Sequence, residues 1–164
     1  MMISEDFWHK IRKVQSIHHR LYTTGKGWMI GWIILLLEHT GRKTGSHYCT
    51  PLQYELIEDK YYIGAGRGVR ADWYRNILSN PEVIFHVGRK TFQGWAEPIT
   101  DRLIIVSFLK YRLKRHPLMV GMMMKFHRLP MRPSEDQLKV LAESLAIVRL
   151  HPTLSDLNKE AQIL

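Results

Sequence analysis

The chain has 164 residues, 45% hydrophobic and 24% charged, which suits one globular domain able to bury a core without disulfides or metals. Lysine and arginine outnumber aspartate and glutamate by 24 to 15, a formal charge of +9, so an anionic partner is expected: phosphate, nucleic acid, an acidic cofactor or an anionic membrane surface. The single cysteine, Cys49, excludes a disulfide framework and a Cys-rich zinc site and fits a reducing cytoplasm.

Ser4 is a good helix cap, and Phe7, Ile11, Val14, Ile17 and Leu21 recur at spacings of three and four. Residues 1–24 therefore read as an amphipathic N-terminal helix, not as a secretory leader. The longest nearly apolar run, Trp28 to Leu37, has ten residues and falls short of the roughly 20 that span a bilayer.

Strands are expected at Ile33 to Leu37, His47 to Glu55 and Lys60 to Ala65, with Glu58-Asp59 as the turn between the last two. Asp72 is placed to cap a short helix through about Leu78, which Asn80-Pro81 stops. Glu82 to Val87 and Thr91 to Pro98 form a hairpin about Gly88-Arg89. Thr100 caps a helix to about Arg115. Pro117 starts another that ends before Pro130, and Ser134 caps a third to about Ser144. Ala146 to His151 is the last strand. The strands come in adjacent, hairpin-like runs, which argues against a doubly wound parallel sheet. An α+β fold is expected, a small antiparallel barrel of about six strands with helices packed outside. Within one domain of residues 1–164, residues 33–99 form the barrel core and 101–144 a helical segment.

Two glycine-bearing segments carry candidate chemistry. Thr40-Gly41-Arg42-Lys43-Thr44-Gly45-Ser46 lies between two strands. Its glycines let backbone N–H groups approach an anion, and Arg42, Lys43, Thr44 and Ser46 add charge and hydroxyls. Composition alone also allows a polar turn with solvated charges, which is the commoner case. The spacing is not that of a P-loop. Gly64-Ala65-Gly66-Arg67-Gly68-Val69-Arg70 is the second segment, and it lacks the dinucleotide-binding spacing and a surrounding βαβ unit. A loop free of bulk yet rich in cations suits acidic groups.

T-G-R-K-T-G at 40–45, then Pro51-Leu52, then Asp72-Trp73-Tyr74-Arg75-Asn76-Ile77-Leu78-Ser79-Asn80-Pro81, resembles the deazaflavin (F420)-dependent nitroreductase family. The resemblance runs from about Ile33 to Ile99. It implies a split β-barrel of the flavin-reductase type and coenzyme F420, a deazaflavin with a phosphate and a polyglutamate tail, with FMN as the alternative ligand. It also implies hydride transfer to a small hydrophobic acceptor, such as a quinone or nitroaromatic. By analogy Arg42, Lys43 and Thr44 bind the phosphodiester end. Gly66, Arg67 and Gly68 contact the cofactor from the second loop, and Trp73 and Asn76 shape the wall of its site. Tyr48 stands where family members usually have Arg. A split barrel that binds FMN or a lipid-like ligand without turnover is the alternative reading. The oligomeric state is left open between monomer and homodimer; the single cysteine and the lack of a secretory signal fit the cytoplasm, and the positive charge allows peripheral contact with an anionic membrane.

The remaining signals are weaker. Residues 102–132 carry eight basic residues and no Asp or Glu, and include Met119, Met122, Met123 and Met124. The charges read as a solvated face, the methionines as core or as an adaptable pocket. Nine histidines are scattered without ligand spacing, so no metal site is expected. No nucleophile motif is present, and Tyr74 and Tyr111 are the candidate proton donors. Specific nucleic-acid binding is not expected, because no recognition motif accompanies the positive charge.

Overall fold

The computed structural model describes residues 34–153. The N-terminal helix expected over 1–24 lies outside the described residues. Six strands follow the chain as β1 (Ile34–Thr40), β2 (His47–Ile57), β3 (Lys60–Ala65), β4 (Glu82–Val87), β5 (Lys90–Ile99) and β6 (Ala146–Pro152). Four helices intervene: α1 (Asp72–Ser79), α2 (Arg102–Arg115), α3 (Pro117–Phe126) and α4 (Glu135–Ala142). The strands close an antiparallel barrel in the order β1-β2-β3-β6-β5-β4, with β4 pairing back onto β1. The fold is α+β, with helices outside a barrel, as the strand spacing predicts.

Alternation along each strand decides what fills the barrel. Leu35 and Leu37 of β1 point inward with Leu52, Ile63, Phe85, Phe92, Ala96, Val148 and Leu150, and all are buried. Ala71, Trp73, Tyr74 and Ile77 join the same cluster, so α1 lays one face into the barrel's apolar interior. A second cluster sits outside. There Ile105, Phe108 and Leu109 of α2, Val120 and Met124 of α3, and Leu138 and Leu141 of α4 pack with Ile99 and Ile147 of the sheet.

Local chemistry explains the element ends. Glu58 and Asp59 carry φ of 48° and 57°, the two positive values that a tight β2–β3 hairpin needs. Ser134 accepts from the Gln137 N–H while the Gln137 side chain accepts from the Ser134 N–H, a complete capping box. Two expected caps are corrected. Asp101, not Thr100, caps α2, its carboxylate accepting from the N–H groups of Leu103 at 2.8 Å and Ile104 at 3.3 Å. Asp72 is the first residue of α1, and Ala71 occupies the cap position without a side-chain bond. The Asp72 carboxylate is turned instead toward Arg42.

Candidate functional site

The β1–β2 loop folds on itself. The Gly41 N–H donates to the Ser46 carbonyl at 2.8 Å and the Gly45 N–H to the Gly41 carbonyl at 2.9 Å. Thr44 donates its hydroxyl to Ser46 Oγ at 2.9 Å. No hydrogen bond among the described residues uses the N–H groups of Lys43 or Thr44. Lys43, Thr44 and Ser46 are exposed, so the outer surface of this turn offers a cation and hydroxyls.

Arg42 behaves differently from its neighbour. Its Nη2 donates to Asp72 Oδ1 at 3.1 Å, and its Nη1 donates to Asn76 Oδ1 at 2.8 Å. The Arg42 backbone N–H also donates to Asn76 Oδ1, at 3.2 Å. Residues 72 and 76 are one helical turn apart, so α1 presents both acceptors on one side to a single guanidinium. Arg42 is therefore a strut between the two loops, with 23% of its side chain exposed. The alternative that composition allowed, a solvated turn charge, does not describe Arg42, because Asn76, 34 residues on, supplies an acceptor.

The second loop runs directly into α1. Gly66 is exposed, and a Cβ built on it meets nothing within 4 Å. Gly68 is the opposite case: its φ is +58°, and a Cβ there would lie 1.7 Å from the Ser144 carbonyl oxygen. A glycine at 68 thus serves close packing against the α4–β6 turn. Arg67 and Arg70 are exposed, and Arg75 donates to the Val69 carbonyl at 3.3 Å. Residues 41–47 and 66–75 together hold five Lys and Arg side chains against one carboxylate, Asp72. Such a surface fits a group bearing several negative charges. Trp73 is buried in the barrel cluster, and Asn76 is buried beneath Arg42.

Sequence reasoning missed His39. The ring is 4% exposed, its Nε2 lies 3.0 Å from Thr50 Oγ1, and its Nδ1 lies 3.3 Å from Asn76 Nδ2. Tyr48 stacks over it with centroids 5.8 Å apart and planes 16° from parallel. Burial pushes the His39 imidazole below the ordinary 6.5, and His127 likewise. A folded value below the unfolded one means that the unfolded chain binds more protons at acid pH. The contribution is thus fully present above about pH 6.5 and lost as pH falls through the folded values. The urea midpoint at pH 5 is expected to lie below that at pH 7.5; equal midpoints would contradict the neutral, buried assignment.

A second polar locus lies at the far end of β2. Glu55 and Arg112 are buried, at 6% and 8% exposure, with Arg112 Nε donating to Glu55 Oε1 at 3.0 Å. Arg112 Nη2 donates to Gln53 Oε1 at 3.1 Å, and His116 and Arg115 approach Glu55 at 3.4 and 3.8 Å. A cavity of about 260 Å³ opens here, lined by Tyr54, Leu56 and Met119 besides these polar groups. It adjoins one of about 200 Å³ lined by Met119, Met122, Met123 and Phe126. Arg112 departs from the solvated basic face expected for residues 102–132. The methionines divide between core (Met124) and groove (Met119, Met122, Met123). Tyr74 is buried and its phenol pushed above 10 by desolvation, while the Tyr111 hydroxyl accepts from Arg115 at 3.1 Å. Among the described residues no group of three His, Cys, Asp or Glu is placed to hold a metal ion, and no helix is long and apolar enough to cross a membrane.

Known proteins resemble this chain in sequence and in fold. The chain is 40% identical over 68 residues to the F420H(2)-dependent quinone reductase Rv1261c of Mycobacterium tuberculosis. That match covers 40% of this chain and 46% of the relative, so it spans just under half of the relative's length. Among solved structures, an F420-H2 dependent reductase (FDR-A) superposes with a TM-score of 0.50 at 19% identity, covering 72% of this chain and 93% of that one. Atu2129 of Agrobacterium tumefaciens, of unknown function, also gives 0.50, at 13% identity over 77% of this chain and 54% of that one. At these identities the structural likeness establishes the fold. The model of the family F420H(2)-dependent quinone reductase, whose name gives F420 as the cofactor, matches residues 10–106, more than half of the sequence. The chain belongs to the F420H(2)-dependent quinone reductase family.

Proposed function

We propose that this protein is an oxidoreductase that uses reduced F420 to reduce a small hydrophobic acceptor, a quinone or a nitroaromatic. The observation that carries this reading is the cation-rich pair of loops, joined through Asp72 and Asn76 to Arg42, in a chain of this family. Lys43 and the hydroxyls of Thr44 and Ser46 receive the acidic end of the cofactor, and Arg42 holds their loop in place. Arg67 and the unobstructed backbone at Gly66 approach it from the second loop. Trp73 and Gly68 act from behind, by packing the helix and loop that carry these groups. When bound, the reduced deazaflavin supplies hydride from ring carbon 5, so no side chain is needed as nucleophile. The cavities beside β2, α2 and α3 are the acceptor side in this reading, with methionine for apolar contact.

Fluorescence titration with F420 and with FMN tests the cofactor. Binding of F420 below high micromolar is expected, and failure of both ligands to bind overturns the reading. Consumption of reduced F420 with menadione, above the protein-free rate, tests turnover. Binding without consumption would leave a carrier.

Lys43→Ala is expected to lower F420 affinity about tenfold, as loss of one charge-assisted contact of roughly 1.5–3 kcal/mol. Its melting temperature should stay within a degree or two, because exposed charges contribute little to stability. Arg42→Ala should lose affinity and stability together. Arg89→Ala, in the β4–β5 turn, is the control, and an equal loss there would assign the affinity to general charge attraction.

A further inference from the structure

The hydrogen bonds that link Arg42 through Asn76 to His39 fix one another's polarity. Asn76 Oδ1 and Nδ2 are told apart by their partners. One end of the amide faces the Arg42 backbone N–H at 3.2 Å and the Arg42 guanidinium at 2.8 Å. Both are donors in every state, so this end is the oxygen. The other end is then the NH2 group, and it needs an acceptor. The group 3.3 Å away is His39 Nδ1. That nitrogen accepts only when it carries no proton, which places the ring's single proton on Nε2. From there it donates to Thr50 Oγ1 at 3.0 Å. The Asn76–His39–Thr50 set, with Asn76 and His39 buried, thus has one consistent assignment of donors and acceptors.

The arrangement is directional. His39 sits on β1, Thr50 on β2, Asn76 on α1, and Arg42 in the loop that connects β1 to β2. A group at position 39 without an acceptor would leave the buried Asn76 NH2 without its partner there. The amide would shift to find another, and the Arg42 loop that it holds through Oδ1 would move with it.

We propose that His39 is a positioning residue for the Thr40–Ser46 loop: its bare Nδ1 accepts from Asn76 Nδ2 and anchors that amide where Oδ1 holds the Arg42 backbone and guanidinium, and with them the surface that receives the cofactor's acidic end. The loop's ligand rests on the function proposed above, whereas the positioning itself does not. His39 touches neither cofactor nor acceptor in this role.

The experiment uses the full chain. Nitrogen-15 NMR of the wild-type ring at pH 7.5 is expected to show a protonated Nε2 and a bare Nδ1; the Nδ1–H tautomer overturns the proposal. His39→Leu is then compared with His39→Gln, which keeps one acceptor and one donor. The leucine variant is expected to shift the Arg42 amide resonance and weaken F420 binding about tenfold, as expected for loss of a charge-assisted contact. The glutamine variant should hold both close to wild type. Equal damage from leucine and glutamine overturns the proposal, as does an unmoved Arg42 resonance in His39→Leu. His86→Gln, on the outer face of the barrel with Glu38, should change neither reading. Should His39→Leu fail to fold, the tautomer and the glutamine variant still decide. If F420 affinity ignores both Lys43→Ala and His39→Leu while the Arg42 resonance moves, the cofactor reading fails and the positioning role stands.

Discussion

Gly68→Ala is expected to lower the stability of the protein by about 2–5 kcal/mol, from a left-handed penalty of roughly 1–2 and an overpacking cost of roughly 1–3. The new Cβ would fall 1.7 Å from the Ser144 carbonyl oxygen, which belongs to backbone and cannot swing aside. Either the 66–71 loop lifts away or the turn between α4 and β6 moves. In a chain of this size the melting temperature should drop by roughly 4–20 °C. Gly66→Ala separates packing from ligand approach. Its Cβ meets nothing within 4 Å, so stability should change by less than about 0.5 kcal/mol. Any loss of F420 affinity in that variant then reports on the ligand. Thermal melts of the two variants give the answer, and a Gly68→Ala protein that melts with wild type would mean that the loop does not pack on Ser144.

Arg112→Leu is expected to cost about 3–5 kcal/mol, because it strands the buried Glu55 carboxylate and removes the donor to Gln53. The double variant Glu55→Leu with Arg112→Leu should recover most of that loss. Once neither charge is present there is nothing left to desolvate, and apolar groups of similar size pack as well. His116 and Arg115 are only partly buried and can turn to solvent. Urea denaturation of the three proteins decides between this account and one in which the pair is merely tolerated. A single variant that loses less than about 1 kcal/mol would show that His116 and Arg115 suffice for Glu55.

What was legible in the sequence follows the range of the interactions. The strands at Lys60 to Ala65 and Glu82 to Val87 fall where residue type and turn residues put them, since hairpins are set by neighbours a few positions away. The Ser134 cap is equally local. The barrel was legible because its strands arrive in consecutive hairpins. Lys43 and Thr44 lie on an exposed turn, as the glycines around them suggest. The polarity of the site was not legible. Arg42 and Lys43 are adjacent and alike in sequence, yet one is clamped by residues 30 and 34 positions away and the other is exposed. Glu55 and Arg112 meet across 57 positions, so a run of basic residues concealed one that is buried. His39 carries no local signal at all, because its meaning comes from Asn76 on a helix 37 positions later.

The position of β6 bears on how the chain becomes a barrel. It pairs with β3 on one side and β5 on the other, although three helices separate it from β5 in sequence. Until residues 146–152 are in place, the backbone donors and acceptors of both neighbours face outward as open strand edges. An emerging nascent chain would pass through that stage with two sticky edges at once, and long-range closure of this kind is slow. A truncation that removes only the last strand should therefore do more than weaken the fold. It should expose the two strands best able to stitch one molecule to the next, and aggregate rather than merely unfold.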